Sequence, residues 1–322
     1  MDEVALGAML ASTLRVATPL ILCALAGTLS ERSGVIDLGL EGKMLLSAFA
    51  AAAVGVASGS LVLALATAIA IGVSLSMLHG YACVSHRGDQ VVLGMAITMT
   101  AAGLTVVLGI AWFKMGGQTP PLPDAVRLGP LLPGLAEAVQ GIPFVGPVLG
   151  LGLLGHDGFV YATLALVAGV WWLLYRTRFG LRLRAAGENP AMVDAAGVSV
   201  LKMRYAALGL NGVLAALAGS YLVLALTPSF IPNMTAGRGY MALAAMIFGK
   251  WHPVGAMAAC LLFGFLEAAA IRLQGVVLPG IGAVPVQAIQ ALPYLLTVIL
   301  LAGFIGRALA PKALGTPYIK ER

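Results

Sequence analysis

With 322 residues, 60% of them hydrophobic and only 10% charged, this chain is excluded from the soluble globular class, whose members carry about 25% charged residues. A shell around so apolar a core would itself be apolar, and lipid solvates such a shell where water does not. The net charge of +6 does not indicate a nucleic-acid partner, because the basic residues sit in loops between apolar runs, as orientation signals do.

The composition therefore predicts an all-α, polytopic membrane helical bundle, with residues 1–322 forming one transmembrane domain. The chain opens Met1-Asp2-Glu3-Val4, without the basic n-region and A-x-A site of a cleaved signal, so the first apolar segment is expected to be retained. Apolar runs at residues 4–29 (with Arg15) and 35–57 (with Asp37, Glu41 and Lys43) come first. Uncharged runs follow at 61–80, 91–113, 159–175, 205–226 and 253–266. Residues 240–249 predict a short, re-entrant span. The uncharged stretch 273–306 is broken by Pro279, Pro285 and Pro293, which places its span near 286–305. The sum is about nine crossings, with a range of eight to ten, and at least one broken helix.

Lysines and arginines orient these spans. Arg176, Arg178, Arg182, Arg184, Lys202 and Arg204 bracket the loop 177–204, which is expected on the cytoplasmic side. Arg87, Lys250, Arg307, Lys312, Lys320 and Arg322 then also fall inside. Residues 116–157, with Pro120, Pro121, Pro123, Pro130, Pro133, Pro143 and Pro147, form the longest outer segment. They read either as short helices and turns lying on the membrane surface or capping a cavity, or as a structural linker.

Two familiar motifs fail on context. Gly150-Leu151-Gly152-Leu153-Leu154-Gly155 matches G-x-G-x-x-G, but no soluble strand precedes it and no acidic residue follows about twenty positions on. Gly42-Lys43 resembles the end of a phosphate-binding loop, but Asp37 and Met44 stand where Gly and Ser or Thr are needed. An ATP-driven function thus requires ATP and Mg on a partner subunit, and no cofactor is expected on this chain. Cys23, Cys83 and Cys260 lie singly in apolar stretches, so no metal site or disulfide is expected.

Three polar features remain. In Glu31-Arg32-Ser33-Gly34-Val35-Ile36-Asp37-Leu38-Gly39-Leu40-Glu41-Gly42-Lys43, Asp37 and Glu41 are spaced to share a helix face, and the glycines predict a discontinuous helix. The carboxylates serve either a polar pathway or hinge, or they stay in headgroups at the interface. Asn211, Gln287 and Gln290 lie within spans and hydrogen-bond either a polar solute or a neighbouring helix. Glu267 with Arg272, near a span end, suits anchoring. In the loop 177–204, Asn189 is an N-cap, Pro190 fits the first helical position and Gly197 fits a C-terminal stop. That loop predicts one short helix of about two turns, whose Ala191, Ala195 and Ala196 suit a partner groove.

Gly187-Glu188-Asn189-Pro190 followed by Ala195-Ala196-Gly197 resembles the coupling-helix loop of ABC-importer permeases, in the branch for ribose-type sugars, branched-chain amino acids and nucleosides. Residues 31–42 are most similar to the nucleoside permeases, although Lys43 stands where that group often has an apolar residue. The resemblance implies a subunit of the bacterial cytoplasmic membrane without its own ATPase site. It implies ATPase subunits docked at Gly187, Glu188, Asn189, Pro190, Ala191, Asp194, Ala195 and Gly197. It also implies a second permease subunit, identical or not, and an outer-face solute-binding protein or lipoprotein. Asp37, Glu41, Asn211, Gln287 and Gln290 are the candidate solute-pathway residues. The expected solute is a nucleoside, with a simple sugar as the alternative. The competing class is an ion-coupled secondary transporter using Asp37, Glu41 or Glu267.

Overall fold

The computed structural model describes residues 3–142, 146–273 and 309–320, together with 277–278, 282–283, 291 and 295. Its elements run α1 (Glu3–Arg32), α2 (Leu40–Ser58), α3 (Leu61–Gly80) and α4 (Gln90–Phe113). The short α5 (Pro133–Gln140) and α6 (Gly146–Leu149) precede α7 (Gly158–Arg176), α8 (Arg178–Glu188) and α9 (Pro190–Ala195). Then come α10 (Val200–Tyr221), α11 (Arg238–Phe248) and α12 (Pro253–Leu273). Residues 277–278 and 282–283 add a two-residue antiparallel pair.

Helices start where the sequence supplies an acceptor for their unpaired amides. Asp89 accepts from the Val91 and Val92 N–H groups at 2.8 and 3.0 Å, opening α4. Asp157 does the same for Phe159 and Val160, opening α7. Ser199 accepts from the Lys202 N–H and opens α10.

Among the described residues, seven helices are long and apolar enough to cross a membrane, against the expected count of about nine. The difference has two sources. The expected span at 240–249 is α11, whose 11 residues extend about 16 Å, half of a hydrocarbon core. The expected span at 286–305, with Gln287 and Gln290, lies outside the described residues.

The buried centre is formed by α1, α2 and α10. Ala17 to Glu31 of α1 are buried without interruption, and α12, α11 and α10 pack around it. The outer helices keep apolar side chains exposed, including Val62, Met99, Val107 and Trp172, a surface that suits hydrocarbon. Glycine permits close crossings, among them that of α3 with α10. A Cβ on Gly72 of α3 would lie 2.5 Å from the Gly212 carbonyl oxygen of α10, and one on Gly212 would lie 2.6 Å from that of Gly72. The two backbones touch directly, which small residues permit between membrane helices.

Residues 119–128 fold back on the end of α10 and the residues that follow it. Leu128 N–H donates to the Leu224 carbonyl at 2.8 Å and Leu122 N–H to that of Pro228 at 2.7 Å. Thr119 and Phe230 exchange two further bonds. Leu122 and Val126 are thereby buried with Phe49 and Phe230. Gly150–Leu154 forms one π-helical turn, and Gly152 packs against Leu10 of α1.

Candidate functional site

The short helix α9 forms as its end signals dictate. The Asn189 side chain accepts from the Met192 N–H at 3.2 Å, Pro190 is the first residue, and Gly197 has a φ of +78°. The resulting helix has six residues. One face is anchored: Val193 is buried with Ala186 and Val200. The other face is open, with Met192 70% exposed and Ala191, Ala195 and Ala196 exposed beside it. Between α8 and α9 runs a groove of about 520 Å³ lined by Leu181, Arg182, Ala185, Glu188, Met192 and neighbours.

The residues expected at the ATPase contact therefore divide. Glu188, Ala191 and Ala195 lie on the exposed side, whereas Asn189, Pro190 and Gly197 shape the helix. Asp194 is half-buried, with its carboxylate 3.6 Å from the Lys320 ammonium. Gly187 is buried in the stem, where any Cβ would fall on the Arg32 carbonyl oxygen.

That contact leads to the segment 33–39, which is not helical. α2 begins only at Leu40, so Asp37 precedes the helix, and the expected shared face with Glu41 does not form. Each carboxylate has its own task. Asp37 Oδ2 is 2.5 Å from Lys43 Nζ, its Oδ1 accepts from the Gly39 N–H, and the His79 ring lies 3.8 Å away. Lys43 Nζ also donates to Asn211 Oδ1 at 3.1 Å, and Ser76 donates to the same oxygen at 3.0 Å. The Asn211 amide donates to the Ala26 carbonyl at 3.0 Å. Asp37, Lys43, Ser76, His79 and Asn211 are all fully buried. Opposite charges and paired hydrogen bonds make this burial tolerable, and the network ties α1, α2, α3 and α10 together. Asn211 thus bonds to neighbouring helices.

Glu41 takes up the start of α11. Its two oxygens accept from the Gly237 and Gly239 N–H groups at 2.8 and 2.6 Å. A carboxylate there meets both the free amides and the positive end of the helix dipole. The far end of α11 meets the same stretch of sequence. Trp251 Nε1 donates to Glu31 at 2.6 Å, and Arg32 Nε donates to the Trp251 carbonyl at 3.0 Å. Residues 31–41 therefore hold α11 at both ends. Glu267 pairs with Arg238 of α11 at 3.1 Å, and Arg272 donates to the Ala5 carbonyl at 2.7 Å.

Sequence reasoning missed Ser76 and His79 as parts of this network, because their partners are remote in the chain. Lys43 did leave a signal: a cation six residues beyond Asp37 in an apolar run.

Residues 9–304 match the family described as "Branched-chain amino acid transport system / permease component". The chain is 38% identical over 318 residues to the guanosine ABC transporter permease protein NupQ of Bacillus subtilis, covering 97% of this chain and 96% of that one. It is 36% identical over 318 residues to the nucleoside ABC transporter permease protein NupC of Lactococcus lactis, with the same coverage. A putative glucose ABC transporter permease protein of Haloferax volcanii is 32% identical over 277 residues, covering 83% of this chain and 78% of that one. With a spanning helical bundle, a capped helix between two spans and near full-length similarity on the page, the chain belongs to this permease family and is an ABC-transporter permease subunit.

Proposed function

We propose that this chain is the membrane-spanning subunit of an importer in a bacterial cytoplasmic membrane, moving nucleosides inward by alternating access. The observation that carries the solute is the identity of 38% and 36%, across nearly whole chains, with permeases named for guanosine and for nucleosides. Two permease subunits and two ATPase domains form the transporter, and an outer-face binding protein delivers the solute. ATP and Mg sit on the ATPases. The open face of α9 supports docking there: small side chains surround Met192 above a buried Val193, so a partner groove can close on the helix without displacing it.

The test is uptake into proteoliposomes holding this chain with its ATPase, companion permease and binding protein. Labelled guanosine is expected to enter only with ATP on the cytoplasmic face, and unlabelled nucleosides to compete where ribose and glucose do not. A simple-sugar importer is the second reading, favoured by the 32% identity with the glucose permease, and it predicts the opposite competition. Uptake by this chain alone, collapsed by a protonophore, would show an ion-coupled carrier instead.

A further inference from the structure

Residues 309–320 lie far in sequence from α9 and yet are bound to its stem. The Ala313 N–H donates to the Gly187 carbonyl at 2.8 Å, and the Gly315 N–H donates to the Gly34 carbonyl at 3.1 Å. Two residues of one turn thus bridge the last turn of α8 and the non-helical stretch before α2. The Lys312 N–H approaches the Glu188 carboxylate at 3.5 Å, and Lys320 lies 3.6 Å from Asp194. Tyr318 packs with Ala186, Val193 and Val200 beneath α9.

Arg204 completes the arrangement. It is 1% exposed at the start of α10, and its Nη1 donates to the Thr316 carbonyl at 3.2 Å. Its Nε and Nη2 have no hydrogen-bond partner among the described residues. A buried guanidinium needs acceptors, and the acceptor Arg204 has lies on the 309–320 segment. Gly34 adopts φ +93°, and a Cβ there would lie 3.0 Å from Arg204 Nη2 and 3.1 Å from the Ala313 carbonyl. The stem, the hinge, Arg204 and the segment meet with no spare room.

We infer that residues 309–320 are a strap that joins α9 to the 33–39 hinge, so that displacement of α9 by the ATPases is passed to α2 and α11, with Arg204 as the positioning residue. This rests on α9 being the coupling helix. The mechanical route is continuous: Gly187 abuts Arg32 and Gly34 directly, the strap ties Gly187 to Gly34 a second time by hydrogen bonds, and the hinge ends in the Asp37–Lys43 pair and in Glu41 at the start of α11. Two rigid helices separated by a loose loop would not transmit a push. A loop tied across its width does.

The test uses the complete complex in proteoliposomes. The stimulus is solute-loaded binding protein, and the readouts are stimulated over basal ATP hydrolysis and solute imported per ATP. The variants are deletion of 311–322, Gly315→Val (φ +77°, with a Cβ 2.9 Å from Ile36), Arg204→Met and the conservative Arg204→Lys. The strap predicts assembled complexes whose import per ATP and stimulation fall at least five-fold, with partial recovery in Arg204→Lys. An unchanged ratio in assembled complexes overturns it, as does a loss confined to the yield of complex. Where the deletion does not assemble, the ratio in Gly315→Val decides. A wild-type complex that imports a sugar and not guanosine sinks the solute reading alone, because the ratio is then taken with that sugar. A wild-type complex without ATP-driven import overturns the coupling reading and the strap with it.

Discussion

The Lys43 ammonium lies 2.5 Å from the Asp37 carboxylate, and neither side chain is exposed to any degree. Six residues separate them in sequence, yet one stands in a non-helical turn and the other in the first turns of α2. The pair therefore fixes where the helix starts and how the turn enters the bundle. Lys43→Met leaves Asp37 charged and buried without its cation, and a loss of about 3–5 kcal/mol is expected from breaking such a pair. Asp37→Asn with Lys43→Met is expected to be less destabilised than the sum of the single changes, since the double variant strands no charge. Denaturant unfolding of the purified protein in detergent measures all three. Additive losses would show that the two groups do not act as a pair.

Glu41 supports a second expectation. Glu41→Gln keeps the shape of the side chain but presents an NH₂ group where the Gly237 or Gly239 N–H needs an acceptor. A loss of about 1–2 kcal/mol follows from one unsatisfied amide and a weaker helix-end interaction. Gly239→Ala should be worse than its size suggests, because the new Cβ would sit 2.7 Å from the Glu41 backbone. Thermal shifts of the two variants are the measurement, and wild-type behaviour in Gly239→Ala would refute the close approach.

What could be read from the sequence was local. Asn189, Pro190 and Gly197 specify α9 through bonds spanning at most five residues, so its ends follow from residue type alone. Apolar runs likewise located the seven long helices, since span length is set by the thickness of hydrocarbon. The roles of Asp37 and Glu41 were not accessible in this way. Their i, i+4 spacing assumes a helix, and the helix begins between them because Lys43, Asn211 and the start of α11 supply better partners than a continued turn. Asn211 is 168 residues from Lys43 and Gly237 is 196 from Glu41, distances at which no periodicity carries information. The same holds for Glu267, whose nearer basic neighbour Arg272 is occupied by the Ala5 carbonyl.

The α3–α10 crossing yields a third prediction. Gly72→Leu and Gly212→Val each force a side chain into a facing backbone carbonyl, which no rotamer relieves. The helices must separate, and α3 would lose its packing on α10. Overpacking a tight contact costs about 1–3 kcal/mol or more, so the yield of monodisperse protein should drop sharply for both. Gly103→Ala is the control. Among the described residues nothing lies within 4 Å of its Cβ position on α4, and a helix-favouring residue there should be neutral or stabilising by about 0.5–1 kcal/mol. Equal yields for all three variants would mean that the crossing is not close.

The open face of α9 separates shape from contact. Asn189→Ala removes the acceptor for the Met192 N–H and should cost about 1 kcal/mol of local helix stability. Met192→Asp leaves the cap intact and changes a side chain that is already 70% exposed, so folding of the isolated subunit should be unaffected. If α9 docks into a groove on the ATPase, the aspartate places an unpaired charge in a buried apolar contact. Co-purification of the ATPase should then fall at least ten-fold for Met192→Asp and less for Asn189→Ala, whose contact side chains remain. The ordering is informative because a purely structural role for α9 inverts it: loss of the cap would then matter more than a change at an exposed position. Pull-down yield from membranes, normalised to the amount of folded permease, decides between the two.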